Sequence, residues 1–377
     1  MRSRMKLAAA SVVAVTVLPV AGAATAQADA ASAATVLQAG VNKGVADGYP
    51  GVIGMIRDGS TVQYVSAGYG DTATKTAADP QAQFRIGSLT KAFTSTVVLQ
   101  LEAEGKLSLD DTVEKWLPGV VDSNGYDGSK VTIRELLNQT SGLPDYFSGV
   151  FGTAYFANLY PDAAYTPQSL VATGLASRAP VSTPGTTWAY SNTNYVLAGM
   201  IIQKVTGNTP GAEITDRIIT PLGLTDTTFP TTNQLTGDYL HGYNLYWGFD
   251  GTVSNIDMTG AAGAIVSTLP NLSTFVQSLL DGKLLPAKQL AELETVVPEP
   301  GTNGVASYGL GIASQKLPCG KTAWLHDGGV LGYRSYWLSN ADGTQQVLLA
   351  ANEFHGNEST QGQTDTQTAL VNAYCAL

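Results

Sequence analysis

Ser88 and Lys91 stand three apart in "FRIGSLTKAF", at the head of an apolar run. A helix sets residues i and i+3 side by side, so this spacing brings an amine against a hydroxyl where the chain turns inward. A buried ammonium is costly unless it is paired or loses its proton. A neutral lysine beside a serine is a base beside a nucleophile, an arrangement for passing an acyl group through a covalent ester. The structural alternative is that Ser88 caps the following helix while Lys91 reaches solvent along its methylene stem. The pair alone does not choose, since Ser3 and Lys6 repeat the same spacing near the N-terminus.

Two other patterns bear on the choice. Tyr190-Ser191-Asn192 is the only Tyr-x-Asn among seventeen tyrosines, and it sits between a "TPG" turn and a helical run, where loops present side chains. His326-Asp327-Gly328, followed by Gly329, is the only His-x-Gly of the chain and falls on a late strand. Each has a plain structural reading, a half-buried aromatic at a helix entrance and a hydrogen-bonded strand residue. Lysine and tyrosine titrate near about 10.4 and 10 when free, too high for a base at neutral pH. Burial lowers the first and a neighbouring cation lowers the second, so each tunes the other.

The elements that must position these groups are legible in outline. Residues 30–47 read as a helix stopped by "YPG", and "GVIGMIRDGSTVQYVSAG" alternates around Asp58-Gly59 as a hairpin. The helix carrying Ser88 follows and runs on through Thr94–Glu104. From Leu107 to about Leu235, short helical pieces alternate with Pro/Gly turns. The clearest helix there is residues 193–206, ended by Gly207. "NLSTFVQSLLDGK" is a further helix with Asn271 or Ser273 as its cap. Strand character returns in "YGLGIAS", "TAWLHDGG", "GYRSYWLSN" and "QQVLLAANE", and a helix over 364–374 closes the chain. The expected fold is α/β of the α+β type: an antiparallel sheet completed by both termini and flanked by helices, with an inserted, mostly helical domain. The expected division is 1–28 as a signal peptide, 29–106 with 236–377 as the sheet domain, and 107–235 as the insertion.

The first residues, "MRSRMK", are basic, an apolar stretch follows, and "TAQADA" offers small-residue cleavage sites, with Ala28 the expected one. This reads as an exported, extracellular protein without a stable membrane anchor after processing. The formal charge is −10, and losing Arg2, Arg4 and Lys6 takes it to −13. An acidic chain with no basic cluster argues against nucleic acid or anionic lipid as partner. The two cysteines, Cys319 and Cys375, read as one disulfide tying a late strand to the final segment; two free thiols are the alternative. Three histidines without ligand-like spacing give no metal signal, and no cofactor is expected.

Order and context join the three patterns. Ser-x-x-Lys after an early hairpin, Tyr-x-Asn in a helical middle and His-x-Gly on a late strand resemble the serine β-lactamase and penicillin-binding-protein superfamily. The likeness is greatest to secreted actinomycete D-alanyl-D-alanine carboxypeptidases and their class C β-lactamase and esterase relatives. It extends through "LLNQTSGLPDY", "PGTTWAYSNTNYVLAGMIIQKVTG", "YGLG" and the late cysteines. The resemblance implies Ser88 as nucleophile with Lys91 and Tyr190 sharing its proton, and the N–H groups of Ser88 and Gly329 as oxyanion hole. It implies Asn192 holding both Lys91 and the substrate amide, and His326 orienting the Tyr190 hydroxyl and keeping the site electropositive. Asp327, Gly328 and Gly329 would face the substrate.

The sequence also departs from that pattern. Relatives that remove a terminal D-alanine carry hydroxyl residues at the positions of Asp327 and Gly329, and an arginine in the stretch that here reads "YGLGIASQKLPCG". Here one position is acidic, the other bare, and the nearest cation is Lys316. A carboxylate repels a carboxylate, so the expected substrates are peptide- or peptidoglycan-derived amides or esters without a free carboxylate on the leaving group, with β-lactams as further acylating partners. A class C-type β-lactamase or esterase on the same scaffold is the alternative enzyme. A slowly deacylating penicillin or muropeptide receptor is the alternative without turnover. No Gly-x-Ser-x-Gly elbow occurs, which argues against an α/β-hydrolase.

Overall fold

The structure is a computed structural model that describes residues 21–356 and 360–377, so most of the expected signal peptide lies outside the described residues. Its centre is a nine-stranded antiparallel sheet. The strands are β1 (Gly51–Asp58), β2 (Thr61–Asp71), β3 (Thr76–Ala77), β4 (Val297–Pro298), β5 (Ala306–Tyr308), β6 (Ala313–Lys316), β7 (Thr322–Val330), β8 (Tyr333–Ser339) and β9 (Gln345–Ala351). The order β3-β2-β1-β9-β8-β7-β6-β5-β4 places the first hairpin directly against the last strand. Val52 pairs with Ala351 and Asp58 with Gln345, so the sheet closes only when both ends of the chain meet.

The strands β1 and β9 carry apolar residues on both faces because both faces are covered. On β9, Val347 and Leu349 face one cluster while Leu348 and Ala350 face another; on β1, Val52 and Ile56 oppose Ile53 and Met55. The first face is covered by two terminal helices, α1 (Ala21–Ala46) and a last helix, Gln361–Ala376. A Cβ added at Gly40 would come 1.9 Å from the Ala369 Cβ, so small residues let these two helices touch.

The other face is covered by α2 (Thr90–Ala103) and α4 (Leu269–Leu280), and beyond them by the segment 107–235 with its principal helix α3 (Asn192–Thr206); the last helix is α5. One continuous core runs from Ile53 and Trp337 on the sheet through Phe93 and Val97 of α2 to Leu197 and Ile201 of α3. α2 is buried on all sides from Thr90 to Leu99, which explains its weak amphipathic pattern.

Several boundaries differ from the sequence reading. Ser88 does not cap α2: it lies in a 3-10 turn, Gly87–Leu89, and no side chain caps the helix. α4 begins at Leu269 because the Thr268 side chain accepts from the Asn271 N–H, so neither Asn271 nor Ser273 is the cap. α5 begins at Gln361, capped by Thr360. "YGLGIAS" is two strands, β5 and β6, separated by a turn at Gly309–Ile312 with Gly311 at φ +94°. The two cysteines are joined, with Cα atoms 6.0 Å apart.

Candidate active site

The Gly87–Leu89 turn is set between β7 and a short strand pair, Phe84–Arg85 with Val266–Ser267. Gly87 has φ +56°, and a Cβ there would come 2.8 Å from the Gly329 nitrogen. A Cβ at Gly328 would come 2.1 Å from the Ile86 carbonyl oxygen. The glycines let turn and strand approach closely enough for Ser88 and Gly329 to line one cleft, of about 680 Å3.

Tyr190 and Asn192 arrive from the far side, at the entrance to α3. Their loop is pinned by Gln139, whose carbonyl accepts from the Ala189 N–H at 2.8 Å and whose side-chain oxygen accepts from the Ser191 N–H at 3.0 Å. At Ser88 Oγ the two segments meet: the Tyr190 hydroxyl donates to it at 2.6 Å and Lys91 Nζ lies 3.0 Å away. Nucleophile, amine and phenol therefore converge.

Lys91 is fully buried, which removes the reading in which it reaches solvent. Its Nζ also donates to Asn192 Oδ1 and to the Ala262 carbonyl, each at 2.7 Å. Both oxygens only accept, so they require two N–H groups. A neutral amine has two, and its lone pair then faces Ser88 Oγ. Burial pulls the Lys91 pKa down to about 7, with the Asp145 and Asp327 carboxylates opposing the shift. Burial also raises the Tyr190 phenol well above its ordinary value, so it rests protonated.

Asn192 is engaged at both ends: Oδ1 on Lys91, and Nδ2 on the Asp145 carboxylate at 3.1 and 3.3 Å. The expected hold on Lys91 is present, and Asn192 lines the cleft with a second Nδ2 hydrogen and a second Oδ1 lone pair beyond these contacts. What the cleft presents beside it is Asp145, a residue the sequence reading did not single out although it lies in the quoted "LLNQTSGLPDY". Burial raises the Asp145 pKa, while N–H donors from Phe147 and Asn192 and the Lys91 charge work against the rise.

The expected role of His326 needs correction. Its Nδ1 lies 2.6 Å from the Asp327 carbonyl, which fixes the hydrogen on Nδ1, and Nε2 accepts from the Tyr308 hydroxyl at 3.0 Å. It is the Tyr308 hydroxyl, not that of Tyr190, that the imidazole receives. Burial lowers its pKa to about 4, so it is neutral at physiological pH and lends the site no positive charge. Tyr308 lies in the quoted "YGLG".

The bare position at Gly329 also has a local cause. A Cβ there would come 2.6 Å from the Phe354 ring and 2.9 Å from Arg334 Nη1. Arg334, opposite Gly329 on β8, pairs with Asp327 at 2.5 Å. The acidic position thus carries its own counter-charge, supplied by a residue that no spacing rule connected to it. The remaining wall is aromatic, with Phe147 packed edge-on to Tyr155 and Phe156 edge-on to Phe354. Among the described residues no group of three or more His, Cys, Asp or Glu side chains could hold a metal, and no helix is long and apolar enough to cross a membrane.

A serine with two proton carriers inside an α+β fold of this topology defines a class, the serine hydrolases of the β-lactamase and penicillin-binding-protein superfamily. Residues 33–371 match the family described as Beta-lactamase, and the chain belongs to it. A D-stereospecific amidohydrolase from Streptomyces sp. superimposes with a TM-score of 0.82 at 38% identity, covering 89% of this chain and 98% of that one. The D-amino acid amidase of Ochrobactrum anthropi SV3, in complex with D-phenylalanine, gives 0.80 at 26% identity over 91% and 98%. Protein flp of Staphylococcus aureus (strain MW2) is 29% identical over 84% of this chain, which spans 62% of its length. A penicillin-binding protein of Bacillus subtilis (strain 168) is 27% identical over 83% of this chain and 70% of its own.

Proposed function

We propose that this protein is a D-stereospecific amidase or peptidase that hydrolyses small D-aminoacyl amides through an ester on Ser88. The observation that carries the reading is the charge inventory of the cleft. Its carboxylates are Asp145 and Asp327, and its one guanidinium, Arg334, is held by Asp327. A substrate ammonium finds a counter-charge there, whereas a leaving group with a free carboxylate finds no unengaged cation. The aromatic wall offers apolar surface to a bulky side chain. The D-amide hydrolases among the structural neighbours support the same reading.

The chemistry balances on the groups present. Lys91 takes the Ser88 proton as Oγ bonds to the amide carbon, and the N–H groups of Ser88 and Gly329 receive the oxyanion. As the C–N bond breaks, Tyr190 gives its proton to the departing nitrogen. The site then holds an ammonium and a phenolate, with Lys91 Nζ 4.9 Å from the Tyr190 ring centre. In the second half Tyr190 takes a proton from water, hydroxide attacks the ester, and Ser88 leaves with the proton of Lys91. Both carriers return to their starting state.

The test compares D-phenylalanine amide, L-phenylalanine amide, a D-Ala-D-Ala peptide and its C-terminal amide. Turnover of the D-amide over the L-amide, with the amidated peptide faster than the free acid and all activity lost in Ser88→Ala, is expected. Faster cleavage of the free acid overturns the substrate assignment, and full activity in Ser88→Ala overturns the site. A stable label from a fluorescent penicillin without amide turnover favours the receptor instead.

A further inference from the structure

Beside the catalytic cleft lies a second, smaller cavity of about 160 Å3, lined in part by Trp188, Tyr190, Glu299, Tyr308, Gln315 and Asp327. It meets the cleft at Trp188, Tyr190 and Asp327, which line both. Tyr190 is the group that protonates the departing nitrogen, so whatever is attached to that nitrogen lies on the Tyr190 side. Asp145, Phe147 and Asn192 line only the first cavity. The acyl half of a substrate therefore belongs to the first cavity, and the leaving group enters the second.

The second cavity is chemically distinct. Asp327 is neutralised by Arg334, but the half-buried Glu299 side chain has neither a hydrogen-bond partner nor an ion-pair partner among the described residues. It sits close enough to Asp327 for that charge, together with its own burial, to raise its pKa. An unpaired carboxylate on the wall of this cavity calls for a cationic ligand.

We propose that this cavity is the leaving-group subsite, and that Glu299 selects leaving groups carrying a positive charge, such as the residue of a diamino acid or its amide. Glu299 pairs with the side-chain ammonium of that residue. The inference rests on the amide-hydrolase reading, because it places the leaving group by the role of Tyr190.

The measurement is kcat/KM for D-Phe-Lys-NH2 and D-Phe-Gln-NH2 in the wild type and in Glu299→Gln, at low and high salt. The wild type should favour the lysine leaving group by roughly fivefold, the worth of a partly exposed ion pair. That ratio should fall toward one with added salt and in the variant. Because it is taken within one protein, partial misfolding cancels. A ratio of one in the wild type, or one that survives in Glu299→Gln, overturns the subsite. Should neither amide be cleaved, the function fails first, and the subsite is read by competition of lysinamide against p-nitrophenyl acetate. Equal inhibition by lysinamide and norleucinamide, or inhibition unchanged in Glu299→Gln, then overturns it.

Discussion

In the proposed mechanism Lys91 is a case where burial, usually a cost, makes the reagent. Removing Lys91 from water lowers its pKa to about 7, and three oxygens around Nζ then decide what its last proton does. Acylation requires the neutral amine, so kcat/KM for an uncharged ester should rise with pH through about 7 and level off above it. Tyr190, whose pKa burial raises, stays protonated across that plateau, so the descending limb lies beyond the ordinary tyrosine range. His326, held neutral down to about pH 4, adds no limb between pH 5 and 8. Lys91→Arg fixes a positive charge at the site and abolishes the base, and should cost about 10²–10⁴-fold in kcat/KM. A pH profile flat between 6 and 8, or an active Lys91→Arg, would remove Lys91 from the role.

At the scale of elements, the site depends on strand β7 lying flat against the turn that carries Ser88. The two glycines after His326-Asp327 are constrained by different neighbours, and substitutions should separate them. In Gly328→Ala the new methyl meets the Ile86 carbonyl, which is backbone and cannot yield, so both activity and the unfolding midpoint should fall. In Gly329→Thr the obstacles are the end of the Phe354 ring and the tip of Arg334, which can move aside. The midpoint should drop less, and adding Phe354→Ala should restore part of it. Equal midpoints for Gly328→Ala and the wild type would show that the close approach is not needed. These two positions also mark how far the sequence was readable. The hairpin at Asp58-Gly59 and the helix before Gly207 were visible as local patterns, whereas Ser88–Lys91 and Tyr190, 102 residues apart, were joined only by the family resemblance. Asp145, Tyr308, Arg334 and Phe354 were not assigned to the site, because each reaches it through a contact that the folded chain creates: Asp145 across 47 residues to Asn192, Arg334 across a hairpin register to Asp327. The pairing of Gly329 with Arg334 exists only once β7 and β8 are in register. The role expected of His326 failed for the same reason: its partner, Tyr308, is set by the turn between β5 and β6.

Across the whole molecule the two faces of the sheet have separate duties. The proposed catalytic residues belong to the face covered by α2 and α3, while α1 and α5 cover the other. α5 is fastened in three ways: by apolar contacts of Leu370 and Ala373, by Lys43 of α1 reaching Asp365 at 3.0 Å, and by the Cys319–Cys375 bond to the turn between β6 and β7. The lysine of this pair is exposed, so the pair contributes little. The disulfide closes a loop with a sequence separation of 56, for which chain entropy gives roughly 4 kcal/mol. Reductant, or the double variant Cys319→Ser/Cys375→Ser, should therefore lower the thermal midpoint by several degrees. Because the bond lies on the face away from Ser88, kcat/KM at 25 °C should stay near that of the oxidised protein. Hydrogen exchange should show the loss first in α5 and in α1 packed against it, since these helices lose their covalent tie while α2 and α3 do not. A midpoint unchanged after both thiols are shown to be free would mean that the apolar seam between α1 and α5 holds the terminus without the bond.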